Sequence, residues 1–260
     1  MKKFGVGLIG LCAVFSTLIA QQPAFDVASI KPSKTSDGRR QFLPSGFTAI
    51  GTEVYWLIVD AYEVDPIQAR LKIIWPPELL KRILITPFDI QAKGEGDQRA
   101  MLRTLLAERF GLRAHTETRQ VPIYAMILKE PGKLGTWLKP SNINCQELFM
   151  AGKFRTVEDQ PTECRLTSER RYGALVRRWA GTMTDLAQRE AQQYSSRPVL
   201  DATGLSGVFS WELAVPRIES ASRDALMKES FENQLGLTME SRTGPYEVIV
   251  IDDIRMPTPN

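Results

Sequence analysis

Any chemistry in this chain has to be arranged around one histidine, His115, because the sequence holds no other. A single imidazole removes every metal site that needs two histidines and makes any nucleophilic triad depend on this residue alone. His115 lies in an alternating run from Leu112 to Arg119, which puts it on one strand face with Arg113, Glu117 and Arg119, opposite Leu112, Ala114, Thr116 and Thr118. Two readings fit that row of charges. In one it is a solvated sheet face on which opposite charges flank each other at i and i+2. In the other it is a binding face, where Arg113 and Arg119 grip a carboxylate or sugar acid and His115 responds to pH. Glu240 and Arg242 fall on the corresponding strand near the C-terminus and extend the second reading to a counterpart.

The remaining motifs carry less. Gly5-x-Gly7-x-x-Gly10 has the letters of a dinucleotide fingerprint but lies in an apolar N-terminal run with no strand before it. Gly204-Leu205-Ser206-Gly207 lacks the spacing of a nucleophile elbow and reads as a tight turn after Asp201-Ala202-Thr203. Asp201, Asp252 and Asp253 are of the type that glycoside hydrolysis uses, yet no spacing selects a pair among them. No catalytic residue, cofactor or metal is therefore expected. The leading expectation is a non-catalytic binding or interaction module whose partner is an envelope protein or a small polar ligand. An extracytoplasmic hydrolase using carboxylates is the alternative.

The elements that must position these residues follow from periodicity. Phe25 to Ile30 and Gly46 to Ile50 read as short strands, and Thr52 caps a helix with Val54, Leu57, Ile58 and Ala61 on one face. Ile67 to Ile74 and Pro87 to Lys93 read as strands. Met101, Leu102, Leu105, Leu106 and Phe110 make one helical face that ends at Gly111, a left-handed cap. From Leu112 to Leu128 the pattern predicts a hairpin turning around Gln120-Val121-Pro122.

The second half repeats this grammar at an offset of about 125 residues: Leu226, Met227, Phe231 and Leu235 take the phase of the first helical face, and Gly236-Leu237 answers Gly111-Leu112. Thr182 to Ala187 mirrors the helix at Thr52, and Val208 to Val215 mirrors the strand at Phe88. The expected fold class is α+β, with two tandem copies of a strand-helix-strand-helix-hairpin unit and antiparallel or mixed sheets. The expected boundaries are a signal peptide over 1–20, a first repeat over 21–138, a linker over 139–178 and a second repeat over 179–260. The linker holds Arg165, Arg170, Arg171, Arg177 and Arg178, for which a solvated surface competes with an anion-binding one.

Composition sets the outer bounds. With 43% hydrophobic and 24% charged residues the chain is globular rather than disordered or multi-spanning. Met1-Lys2-Lys3, an apolar run to Ala20 and Gln21-Gln22-Pro23 have the order of an export signal. Cleavage after Ala20 is expected, while Leu18 at the −3 position leaves an uncleaved membrane anchor as the alternative. Losing two lysines lowers the formal charge from +3 to about +1, which excludes a global electrostatic case for nucleic acid. Outside the leader the cysteines are Cys145 and Cys164, an even count in the periplasmic or secreted location that the leader implies. They are expected to pair; two free thiols are the alternative.

Several stretches together point to a family. These are Ala28 to Ser33, Phe88 to Lys93, Met101 to Leu112 with His115, Glu117 and Arg119, Leu138 to Ser141, Arg197-Pro198-Val199 with Asp201 and Thr203 to Leu205, and Val250-Ile251-Asp252. In that order they resemble the soil-associated proteins of unknown function that are abundant as paralogues in acidobacteria. The family carries no established activity, so the resemblance transfers no role to any residue. Some relatives resemble fusions to membrane metallopeptidases of the antibiotic-sensor type, which implies an extracytoplasmic sensing or binding module. This chain departs from the family pattern at Trp75, where Pro76-Pro77 follows, and at Asp253, where a histidine is more usual. The repeated unit also looks like the small βαβ-type domains at the periplasmic ends of secretins and some outer-membrane receptors, an analogy of fold alone.

Overall fold

Alternating apolar residues build most of the strands of this computed structural model, and pairing sorts them into three four-stranded sheets. Residues 22–77, 85–154, 156, 158–165, 169–171, 174–216 and 222–257 are described. The expected export signal lies outside the described residues. Among the described residues no helix is long and apolar enough to cross a membrane.

The first half runs β1 (Val27–Pro32), β2 (Arg39–Leu43), β3 (Gly46–Glu53), α1 (Val54–Ala61), α2 (Ala69–Lys72), β4 (Ile73–Ile74), β5 (Pro87–Lys93), α3 (Gln98–Phe110) and β6 (Arg113–Leu128). The second half runs β7 (Leu138–Ser141), α4 (Cys145–Met150), β8 (Glu169–Arg171), β9 (Ala174–Gly181), α5 (Met183–Asp185), β10 (Val199–Asp201), β11 (Val208–Pro216), α6 (Arg223–Ser230) and β12 (Leu237–Asp253). Helix α5 continues through a π turn, Leu186–Glu190, and a 3-10 turn, Ala191–Tyr194. A π turn, Phe231–Leu235, extends α6 in the same way.

One outer sheet has the order β1-β5-β3-β2 and the other β7-β11-β9-β8, and both are antiparallel throughout. The strand order relative to chain order is the same in each. Between them lies the mixed sheet β10-β6-β12-β4. There β6 and β12 pair antiparallel along their lengths, from Leu128 opposite Leu237 to Ala114 opposite Ile251. The flanking strands cross over between the halves: β4 lies parallel on β12, and β10 lies parallel on β6.

Two cores result. The first packs Phe47, Phe88, Phe110, Leu57 and Leu106 with Ile249 and Ile251 of β12. The second packs Met183, Leu186, Trp211, Phe231 and Leu235 with Tyr124 and Met126 of β6. Each core is therefore completed by a strand from the other half of the chain.

Helix α3 forms as its periodicity predicts. The Asp97 side chain accepts from the N–H groups of Arg99 and Ala100, and Gly111 closes the helix at φ 59°. Three expectations are corrected. The hairpin expected at Gln120 to Pro122 is instead one unbroken strand, β6, because no residue there has the left-handed backbone a two-residue hairpin needs and β12 offers a partner over the full length. Pro122 and Pro245 are tolerated because the sheet is only two strands wide at those positions.

The strand expected over Ile67 to Ile74 shrinks to β4. The Asp65 carboxylate accepts from Ile67 N–H at 2.8 Å, and the turn it makes leads into α2. The stretch expected as a linker, 139–178, supplies most of β7, all of α4 and β8, and the start of β9. Strands β7 and β8 are only four and three residues long and leave little periodicity to read, and the disulfide links the helical pieces between them.

That bridge joins Cys145, the first residue of α4, to Cys164 at a sequence separation of 19, and both are fully buried. Closing a loop of this size restricts the unfolded chain and contributes about 3 kcal/mol on a chain-entropy basis. A Cys145→Ala/Cys164→Ala double variant is expected to melt roughly 6–12 °C lower, measured by circular dichroism. In the denatured parent protein, intact mass after alkylation should show neither of these cysteines labelled until a reductant is added.

Candidate functional site

The end of β3 decides which side chains reach the surface beside α1. A bulge shifts the β3–β5 register between Ala49 and Thr52, and Gly51 adopts φ 56° there. Its N–H donates to the Asp89 carboxylate at 2.8 Å, and a Cβ on it would sit 2.6 Å from Thr35 O, so only glycine fits. The bulge turns Thr52 inward. Thr52 is buried, and its hydroxyl donates to Arg39 O at 3.2 Å rather than capping the helix. Glu53 takes the N-cap position in its place, with its carboxylate making no cap bond.

Tyr55 and Trp56 then project from the first turn of α1. Pro66 and α2 bring Arg70 across from them, and the chain leaves β4 at Trp75. These residues with Glu53 and Ile73 line a cleft of about 480 Å³. Its aromatic wall is internally packed: the Tyr55 and Trp75 rings lie 6.1 Å apart at 34°, and Tyr55 meets Trp56 edge-on at 5.0 Å. The Arg40 guanidinium covers one face of Trp56 at 5.3 Å and is held by Asp60 at 2.5 Å. Burial pushes the Asp60 carboxyl up, against the opposing pull of Arg40. Burial also pushes the Tyr55 hydroxyl up, so it stays protonated and able to donate.

Charge in the cleft is unpaired. Neither the Glu53 carboxylate nor the Arg70 guanidinium has a hydrogen-bond or ion-pair partner among the described residues. The acids and bases around them are already engaged, Asp60 by Arg40, Glu63 by Arg99 at 3.4 Å, and Lys72 by Glu247 at 4.0 Å.

The charged strand singled out from sequence is built differently. Arg113, His115, Glu117 and Arg119 do come together along β6, and their charges are satisfied locally. His115 Nδ1 lies 3.0 Å from the Asp252 carboxylate and Nε2 lies 3.7 Å from Glu117. Glu117 accepts from Arg119, and Arg113 pairs with Asp253 at 3.4 Å. The Asp252 hydrogen bond is the main cause that raises the His115 pKa, and Arg119 holds Glu117 below the usual carboxylate range. Among the described residues the partners of the imidazole are these two carboxylates, one beside each ring nitrogen. Glu240 and Arg242 pair with each other at 2.6 Å, opposite Ala125 and Ile123. That places them eight to ten residues along β6 from His115, roughly 26–34 Å at the rise of a strand.

Three arginines of the basic stretch, Arg165, Arg177 and Arg178, engage separate partners. Arg178 pairs with Glu212 at 2.6 Å, and Arg165 donates to Glu158 O and Gln160 O. Arg177 turns inward to a second cavity of about 80 Å³, lined also by Ile67, Trp179, Arg189, Glu190, Gln193 and Trp211. Glu190, 5% exposed and 3.2 Å from Arg177, is pushed up by burial. Each of these two cavities carries a single carboxylate, whereas glycoside hydrolysis requires two across one bond. Asp201 serves a turn, accepting from Thr203 N–H and hydroxyl at 2.9 and 2.8 Å before Gly204 at φ 70°.

Sequence reasoning passed over Glu53, Tyr55, Trp56, Arg70 and Trp75. Two of the five tryptophans lie in this short segment, which is a usable signal, but assigning the cap to Thr52 and a strand to Ile67 to Ile74 separated the residues that the fold unites.

Fold and site together define a class, an α+β protein with two outer antiparallel sheets joined by a long central ribbon and an aromatic cleft at the ribbon's edge. Within that class the chain belongs to the family described as protein of unknown function (DUF3738), whose model matches residues 56–254 and so takes in Trp56, Arg70, Trp75 and the whole ribbon. No curated protein and no solved structure matches it.

The His115 environment gives a pH test. A histidine pKa raised in the folded state adds stability that is complete below the unfolded value and is lost as pH rises through the folded one. The imidazole should titrate by NMR above the ordinary histidine value, and Asp252→Asn should bring the midpoint down toward it. An unchanged midpoint in that variant would show that the bond to Asp252 does not set it.

Proposed function

We propose that this chain is an exported, non-catalytic binding module of the cell envelope, built from two tandem copies of one α+β unit, and that its aromatic cleft holds a small polar ligand. The cleft carries the reading: about 480 Å³, walled by Tyr55, Trp56 and Trp75, with a free carboxylate and a free guanidinium at its rim. Concave sites of this size with an apolar lining and a few placed polar groups are the usual form of small-molecule sites.

Export is supported by the basic, apolar and polar order of residues 1–23 and by a buried disulfide, which persists in oxidising compartments. Duplication is supported by the shared strand order of the two outer sheets and by the reciprocal docking of β4 and β10. The charged strip on β6 is less suited to hold the ligand, because its arginines and carboxylates already neutralise one another.

The test is equilibrium binding of amino acids, short peptides, neutral sugars and sugar acids, followed by tryptophan fluorescence in the parent protein and in Trp75→Ala. At least one class should bind saturably, and about ten-fold more weakly in the variant. Binding indifferent to Trp75→Ala, or turnover of any compound in the panel, would overturn the reading.

A further inference from the structure

Resting on that reading, we infer that the cleft selects a zwitterion of the amino-acid type, with Arg70 taking the carboxylate, Glu53 taking the ammonium and the Tyr55–Trp75 wall taking the apolar part. The argument begins from the two charges. They line one cleft, yet they form no ion pair with each other or with any described neighbour. Opposite charges that share a small cleft without meeting leave a gap for a molecule that carries both complements.

Simpler ligands each waste one group. A monoanion satisfies Arg70 and is repelled by Glu53. A monocation gains Glu53 and the aromatic faces but meets Arg70, and the Arg40 guanidinium already occupies one face of Trp56. A neutral sugar draws on both groups only as hydrogen-bond partners and leaves the charges uncompensated. A zwitterion uses both, and the planar fork of Arg70 matches a carboxylate in bidentate fashion.

The wall sets the third requirement. Tyr55 and Trp75 are too close together to sandwich a ring, so an apolar side chain lies along them rather than between them. Beside Arg70, the Tyr55 hydroxyl supplies a further donor to the carboxylate. A volume of about 480 Å³ admits a free amino acid with water or a short peptide with its two charged ends, which are two sources of the same chemistry.

Calorimetric titration with six probes decides the matter: L-leucine, L-leucyl-L-leucine, N-acetyl-L-leucine, L-leucinamide, N-acetyl-L-leucinamide and D-glucuronate. One or both zwitterions should bind at least ten-fold more tightly than every blocked probe, and which of the two binds better separates a free amino acid from a peptide. Arg70→Gln should abolish the advantage of L-leucine over L-leucinamide. Glu53→Gln should abolish its advantage over N-acetyl-L-leucine. Arg70 is exposed, so its variant should fold as the parent does, and Arg70→Lys should recover part of the carboxylate preference.

Trp75-dependent binding of glucuronate or of the neutral probe, equal to or tighter than the zwitterions, overturns this inference and leaves the cleft as the binding site. Trp75-dependent binding confined to other compounds does the same. Absence of any Trp75-dependent binding overturns both.

Discussion

The antiparallel pairing of β6 with β12 is the interaction on which the rest of the structure depends. It joins residues that are more than a hundred positions apart in sequence and puts one end of the ribbon into each core. The first core lacks a wall without Ile249 and Ile251, and the second lacks one without Tyr124 and Met126. Neither half buries its apolar face alone, so the two should lose structure together. A ladder of such long sequence separation also incurs a large loop-closure cost before it gains contacts, which places this chain among the slower-folding topologies. In the ribbon's middle Tyr246 is the buried exception, 8% exposed with its hydroxyl pushed up to about 12 by burial, while Thr118 to Gln120 opposite and Pro245 and Glu247 beside it are exposed.

The cleft is a consequence of that ribbon. Strand β4 is only Ile73–Ile74, too short to persist alone, and it is held by lying parallel on Ile249 and Val250 of β12. Ile73 enters the first core, which fixes where Arg70 leaves α2 before it and where Trp75 emerges after it. The residues that line the cleft all come from the first half, but their spacing is set by a strand of the second. Substitutions in β12 that weaken the ladder near Ile249 therefore act on the cleft at a distance, through the position of β4.

How much of this was legible in sequence follows from what periodicity encodes. It reports which face of an element is buried, and for α3, β1, β5 and β11 that was enough, as were the glycines that end the helices at Gly111 and Gly236. It does not report which strand lies alongside. Leu112 to Leu128 alternates equally well as a hairpin or as one strand of a ladder, and only the presence of β12 separates the two. The site failed for a related reason. Arg113, His115, Glu117 and Arg119 do share a strand face, but Asp252 and Asp253 on the neighbouring strand take up His115 and Arg113, and Glu117 takes up Arg119. Glu53 and Arg70 belong to elements whose ends were misplaced by the Gly51 bulge and the Asp65 turn, so nothing in the pattern brought them together.

The two halves differ at the place where the cleft opens. Both contain an outer sheet of the same strand order and an edge strand docked on the ribbon of the other half, so the framework distinguishes them little. The connection from helix to edge strand does. In the second half α5 runs on through its π and 3-10 turns to Tyr194, fills the space with Leu186, Ala187 and Ala191, and reaches β10 after a short loop. In the first half α1 stops at Ala61, and a longer excursion through Pro66 and α2 stands away from it and opens the cleft. The same excursion turns its other side to the second half, where Ile67 borders the small cavity and Gln68 donates to Gln188 at 3.3 Å. The segment that carries Arg70 thus touches the second half as well as the first, and the shape of the cleft is tied to that contact as well as to β4.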